Sequence, residues 1–353
     1  MKVAIVGGGV IGCAIADRLA RDGHQVTLFE RDRVGAHASG AAAGLLAPYS
    51  EADEPGEFHR FAVRSLAMFD ELGERLQKDT GIDVEFRHQE TLRIALDDAA
   101  HDTLGRRVAW QLEAGLQPWL LTADEARAEE PELGEVVGAA VFPEAQVTPP
   151  RMVAALAWSA AAAGADVREG APVTLVERSG RVEGVRTFAG VEGADVVVLA
   201  AGPWSPQVAQ TAGVEVEVRP RRGQLIALEP PRGLLRHMIT AGHLYLVPKP
   251  AGELICGSTE EEARFEAHAT GAGVRLLLDF AIRAVPALAD ARVDRVWAAL
   301  RPAPRGRMPL IGPAEIEGLV LATGHNRNGI LQAPLTADIV ARGLAGTWET
   351  PEP

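Results

Sequence analysis

The chain has 353 residues, 47% hydrophobic and 24% charged, and its 48 acidic against 35 basic side chains leave a formal charge of −13. That is enough apolar material for one large or two ordinary cores, while the charge opposes binding to nucleic acid or to an anionic membrane surface. No uninterrupted apolar stretch reaches the roughly 18 residues a membrane span needs. Two cysteines, Cys13 and Cys256, fit a reducing cytoplasm and a place in the core, and no Cys/His cluster has metal-site spacing, so no metal is expected.

Lys2 to Val6 reads as a short apolar strand. Gly7-Gly8-Gly9-Val10-Ile11-Gly12 follows at once, then a helical stretch from Cys13 to Arg21, then a second strand from Val26 to Phe29 that ends in Glu30. Strand, glycine turn, helix, strand and acid in that order form the dinucleotide-binding fingerprint. Gly7 serves the tight turn, Gly9 the close approach of backbone to a pyrophosphate, and Gly12 the packing of helix on strand. Val10 and Ile11 lie in the turn before the helix, whose unpaired N–H groups favour a phosphate. Glu30 suits ribose hydroxyls and disfavours a 2′-phosphate, so the ligand is FAD or NAD rather than NADP. Arg31 follows directly, and the small-residue run Ala38 to Leu46 comes next. There Ser39 can donate to a cofactor oxygen, while Ala42, Ala43, Gly44 and Leu45 let backbone lie against a flat ring.

Glu57 to Gln77 carries apolar residues at helical spacing and predicts one amphipathic helix. Val84 to Ala95 turns strand-like, Asp98 to Ala114 returns to helix, and Thr122 caps another short helix ahead of Glu125. Thr148-Pro149-Pro150 marks the start of a long alanine-rich helix from Arg151 to Ala163. Strands follow at Asp166 to Arg168 and Val173 to Arg178, with a Ser179-Gly180 turn. Asp195 to Ala200 reads as a buried parallel strand running into Ala201-Gly202-Pro203-Trp204, a small turn that admits a ligand at the strand ends. From about Val214 to Ala299 the pattern is several strands and one helix, Gly273 to Val285. His243, Tyr245 and Val247 alternate with Leu244 and Leu246, as on a strand covering a cavity. Trp297, Ala299 and Arg301 share a face of another strand. Gly318 to Gly324 is a final strand before a helix from Gly329 to about Gly343, so the nucleotide domain is discontinuous.

Five stretches carry a resemblance: Val3 to Glu30, Ser39 to Gly44, His243 to Pro248, Trp297 to Pro302, and Gly324 to Leu331. With them the chain resembles the FAD-dependent amine oxidases of the D-amino-acid oxidase superfamily, most of all the thiamine-pathway glycine oxidase group. The resemblance implies an α/β fold with a discontinuous Rossmann-like FAD-binding domain at 1–80, 141–213 and 302–353. It also implies an α+β substrate-binding domain with a mostly antiparallel sheet at 81–140 and 214–301. FAD would be held non-covalently. Val173 would meet the adenosine portion through its backbone, while Ala201, Gly202, Trp204, Asn328, Gly329, Ile330 and Leu331 would complete the cofactor site.

Arg301 is the expected carboxylate anchor, since a guanidinium can make two parallel hydrogen bonds to a carboxylate. Tyr245 is its partner, and Arg327 stands close to flavin and substrate. The implied reaction moves hydride from the alpha carbon of glycine, sarcosine or a small D-amino acid to flavin N5. The imino acid then hydrolyses to oxo acid and ammonia, and O2 is reduced to hydrogen peroxide. A dehydrogenase with another acceptor and a non-catalytic flavin protein remain alternatives. Relatives are commonly tetrameric, so a homo-oligomer is expected, in the cytoplasm. The chain departs from its relatives in two places: Asn326 replaces an aromatic residue, and Arg305-Gly306-Arg307 replaces an Asp-Gly step.

Overall fold

The computed structural model describes residues 1–348. Two large sheets organise it. The first has six strands in the order Leu310–Pro313, Leu319–Thr323, Val196–Leu199, Lys2–Val6, Gln25–Phe29 and Asp166–Arg168. All of its pairings are parallel except that of Leu310–Pro313 with Leu319–Thr323. Parallel strands need coverage on both faces. One face is covered by the helices Val10–Arg21, Pro149–Ala162 and Gly329–Leu344, which share a core containing Ile5, Ile15, Leu156 and Val340. A three-stranded antiparallel sheet, Thr174–Arg178, Arg181–Thr187 and Gly190–Gly193, covers the other through Val182 and Val185.

The second sheet has eight strands, in the order Arg292–Pro304, Val218–Glu229, Leu254–Gly257, Leu244–Pro248, Met238–Ala241, Thr91–Ala95, Gly138–Phe142 and Trp119–Thr122. Only Met238–Ala241 with Thr91–Ala95 is parallel. Helix Gly271–Ala284 packs Leu277, Phe280 and Ala281 onto one face. The opposite face presents Leu225, Val247 and Ile255 toward Ala43 of the small-residue run. A three-stranded sheet of Leu45–Leu46, Ala145–Gln146 and Arg87–His88 joins the two large units.

The expected single helix from Glu57 to Gln77 is two helices, Glu57–Leu66 and Phe69–Thr80. Neither glycine nor proline marks the break. Each half packs on a different neighbour: Phe61 meets Leu335 and Ile339 of the last helix, whereas Phe69 and Leu76 enter the core shared with Pro149–Ala162. Ser65 pins the end of the first half, donating to the Leu331 carbonyl at 2.6 Å. The strand expected over Val84 to Ala95 is confined to Arg87–His88 and Thr91–Ala95. Among the described residues no helix is long and apolar enough to cross a membrane.

Candidate active site

One cavity runs from the glycine turn, past the small-residue run, to Tyr245, Arg301 and Arg327. Its first end is built by strand termini. Gly7 sits at φ +114°, and a Cβ there would lie 2.4 Å from the Ala200 carbonyl oxygen, so the strand leaves the sheet there only as glycine. A Cβ on Gly12 would lie 1.9 Å from the Gly7 carbonyl oxygen, so helix and turn touch through backbone. Helix Val10–Arg21 has Gly9 at its N-cap with no side-chain cap bond. Ser39 Oγ accepts from Val10 N–H at 2.9 Å, which leaves the hydroxyl hydrogen available to a ligand.

Glu30 is 7% exposed, and its carboxylate accepts from the N–H groups of Gly8 at 2.7 Å and Asp32 at 2.8 Å. Fixed in this way, it still has lone pairs for hydroxyl groups in the cavity. Arg31 lies 4.3 Å above the Trp204 ring, and the His37 ring is 4.6 Å away on the same tryptophan. Val173, Ala201 and Gly202 complete this end, while Val10, Ile11, Ala42, Ala43, Gly44 and Leu45 line the middle.

At the far end Arg301 donates from Nη1 to the Thr259 carbonyl at 3.0 Å and from Nη2 to Ser258 Oγ. The rest of its fork is left for an anion. Gly223 on the paired strand makes the room, because a Cβ there would fall 2.2 Å from Arg301 Nη2. Tyr245 lies against Gly257, where a Cβ would come within 2.7 Å of the phenol oxygen. Burial lowers the Arg301 pKa and raises that of Tyr245. The phenol is therefore a hydrogen-bond donor at neutral pH beside a cation.

Arg327 is paired with Glu51 Oε1 at 3.0 Å and also donates to the His243 carbonyl at 3.2 Å. The Glu51 charge, first among the causes, raises its pKa. Asn326 is at φ +46°, and its Oδ1 is buried with no hydrogen-bond partner among the described residues. Helix Gly329–Leu344 starts at this wall with Asn328 as N-cap and no side-chain cap bond; Asn328, Gly329 and Ile330 all line the cavity.

The arrangement fits FAD. Two helix N-termini whose N-cap residues make no side-chain cap bond favour an anionic ligand, a fixed acid suits a ribose, and Asn326 offers an unmatched acceptor. Of the residues expected in the site, only Gly12 and Leu331 stand outside the wall, Leu331 being in the core with its carbonyl held by Ser65. His325 does line it, but burial pushes its pKa down to about 3, and its Nε2 is paired with Thr336 Oγ1 at 3.0 Å. His243 lies off the wall. Glu51, Gly223 and Ser258 were not expected. The two glycines inside strands, Gly223 and Gly257, are the one sequence signal for such close approach. Arg305 pairs with Glu217 at the surface, and Arg307 donates to the Glu51 carbonyl at 2.6 Å while lying 4.6 Å over Phe58. The Arg307 half of that departure thus braces the segment that delivers Glu51.

Residues 2–342 match the family described as FAD dependent oxidoreductase. The chain is 35% identical over 344 residues to a glycine oxidase of Geobacillus kaustophilus (strain HTA426), covering 96% of this chain and 91% of that protein. The crystal structure of glycine oxidase from Geobacillus kaustophilus matches with a TM-score of 0.94, covering 99% of this chain and 95% of that one at 35% identity. A bifunctional protein ThiO/ThiG of Nostoc sp. (strain PCC 7120 / SAG 25.82 / UTEX 2576) is 35% identical over 348 residues, which are 96% of this chain and 52% of that protein.

Proposed function

The chain belongs to the FAD dependent oxidoreductase family, and from that premise we propose that it is a glycine-oxidase-type enzyme. It oxidatively deaminates a small amino acid, namely glycine, sarcosine or a small D-amino acid, with non-covalent FAD and with O2 as acceptor. One observation carries this reading: a single cavity has a dinucleotide-binding turn with Glu30 at one end and the Arg301–Tyr245 pair at the other.

Bound FAD supplies a ring that takes two electrons with the hydrogen of the substrate alpha carbon and returns them to O2. The protein supplies position and field. Gly7, Gly9, Val10, Ile11, Glu30, Ser39 and Val173 would hold the adenosine diphosphate half. Ala42, Ala43, Gly44, Leu45, Asn328, Gly329 and Ile330 would border the ring. Arg301, already oriented by Thr259 and Ser258, binds the substrate carboxylate, and the Tyr245 hydroxyl donates beside it. Arg327 is neutralised by Glu51 and shapes the pocket without acting as a second carboxylate anchor. His325 is a poor base, being neutral and tied to Thr336.

The division into a cofactor domain (1–80, 141–213, 302–353) and a substrate domain (81–140, 214–301) is part of the proposal. The six-stranded sheet draws all of its strands from the first set of segments. The eight-stranded sheet draws on the second, with Gly138–Phe142 and Arg292–Pro304 straddling the limits; residues 349–353 lie outside the described ones. A cytoplasmic homo-oligomer, a tetramer as is common in the family, completes it. The absence of a disulfide between the two cysteines, both free, supports the first part, and Trp119 and Leu120, 41% and 42% exposed on an edge strand, support the second. Light scattering on the purified protein measures the mass.

The deciding experiment is an anaerobic absorbance titration of the holoprotein with glycine, sarcosine, D-alanine and D-proline, followed by air. Bleaching by one of them, then recovery with hydrogen peroxide, is the expected result. Bleaching without recovery in air would make the protein a dehydrogenase, and no bleaching by any amine would refute the enzyme reading.

A further inference from the structure

The wall between the glycine turn and Arg301 is the stretch Ala41–Gly44, and its carbonyl groups are held from behind by two side chains of the antiparallel unit. Trp297 Nε1–H donates to the Ala41 carbonyl at 3.0 Å. Lys249 Nζ donates to the Ala43 carbonyl at 2.9 Å, to Gln146 Oε1 at 2.8 Å and to the Val147 carbonyl at 2.7 Å. Neither side chain is on the cavity wall.

In a trans peptide the carbonyl and the N–H of the same unit point in opposite directions. Drawing the Ala41 and Ala43 carbonyls away from the cavity therefore turns the N–H groups of Ala42 and Gly44 toward it. Neither N–H has a backbone acceptor among the described residues, although Ala42 ends the short helix Ala38–Ala41 and Gly44 borders a paired strand. Buried amides without partners are rare unless a ligand completes them.

Lys249 is itself unusual. Its three donors meet three neutral oxygens, and no carboxylate pairs with it among the described residues. Glu85 and Glu253, which act on it from a distance, bond instead with Thr148 and Arg295. An enclosed ammonium without a counter-ion carries a desolvation cost, and burial draws this one down to about 8.

Resting on the FAD reading above, we propose that Lys249 and Trp297 are positioning residues that clamp the Ala41–Gly44 wall. The clamp aims the Ala42 and Gly44 N–H groups at the cofactor ring, with the Lys249 charge directly behind them. Oriented donors and a fixed cation favour arrival of negative charge on the ring, so the clamp raises the reduction potential of the bound cofactor. Lys249 touches neither cofactor nor substrate and acts through the backbone.

The test uses purified holoprotein and the variants Lys249→Met, Lys249→Arg and Trp297→Phe. Dye equilibration reads the midpoint potential, and apoprotein titration reads the FAD dissociation constant. Lys249→Met should shift the potential to more negative values and weaken FAD binding about tenfold or more. Lys249→Arg, which keeps charge and donors, should restore most of both. Trp297→Phe should weaken FAD binding with a smaller change in potential. A Lys249→Met protein with the wild-type potential overturns the proposal, whatever its melting temperature. If that variant does not fold, a Trp297→Phe protein with unchanged FAD affinity overturns it instead. Failure of the wild-type chain to bind FAD would strike the functional reading itself, a separable result.

Discussion

In the proposed function Arg301 is the carboxylate anchor. Its guanidinium is oriented by Thr259 and Ser258 and accommodated by Gly223, so removing it should spare the cofactor. Arg301→Ala is expected to lower kcat/KM for amino acids by more than about tenfold, roughly 1.4 kcal/mol, with the flavin spectrum retained; steady-state kinetics on the yellow protein check this. Arg301→Lys should be nearly as poor, because an ammonium cannot reproduce the fork.

A second buried group sets a pH dependence at the same scale. Glu144, 2% exposed, accepts from the N–H groups of Tyr49 at 3.2 Å and Ser50 at 2.7 Å and from Ser50 Oγ at 3.0 Å. Burial nonetheless pushes its pKa from 4.5 to about 7. Between those values the unfolded chain holds fewer protons at this site than the folded one, so stability falls as pH rises through the window and the penalty is constant above it. In Glu144→Gln that contribution disappears: urea denaturation at pH 5 and pH 8 should show a smaller loss across the interval than in the parent.

Elements illustrate which local rules survive folding. The capping box at Thr122 is present as expected, with Glu125 N–H donating to Thr122 Oγ1 and Thr122 N–H donating to Glu125 Oε2. Thr122→Ala should cost about 1 kcal/mol, measurable by chemical denaturation. Gly12→Ala meets backbone at 1.9 Å. Overpacking of this kind costs about 1–3 kcal/mol or more, and because it moves the Gly7 turn it should also weaken FAD binding, which titration of the apoprotein reads. The break between Leu66 and Phe69 shows the limit of such rules. The spacing of apolar residues runs through it without interruption, and two separate docking partners divide the helix.

At the scale of the molecule, the proposed cofactor unit is assembled from three separated pieces of chain, those that supply the six-stranded sheet. Leu310–Pro313, Leu319–Thr323 and helix Gly329–Leu344 close a sheet that begins at Lys2. A chain ending at residue 309 should therefore lose FAD and the cooperative unfolding of the cofactor unit, although it keeps the whole glycine motif. Absorbance of the purified product and its thermal melt would decide. Retention of stoichiometric flavin by that fragment would mean that the N-terminal motif suffices.

The sequence by itself determined the strand, turn, helix and acid of the first thirty residues and the order of most later elements, and its family resemblance nominated Arg301 and Tyr245. Those signals are local: turn sterics, apolar period and strand alternation act over a few residues, and the resemblance added roles to named positions. Only the tertiary structure decided the rest. The Glu51–Arg327 pair joins residues 276 apart, and the Lys249 and Trp297 contacts reach back some two hundred residues or more to the small-residue run. Such pairs arise when two sheets close on one cavity. No periodicity records them, because each partner, read in its own segment, is an ordinary charged or aromatic residue.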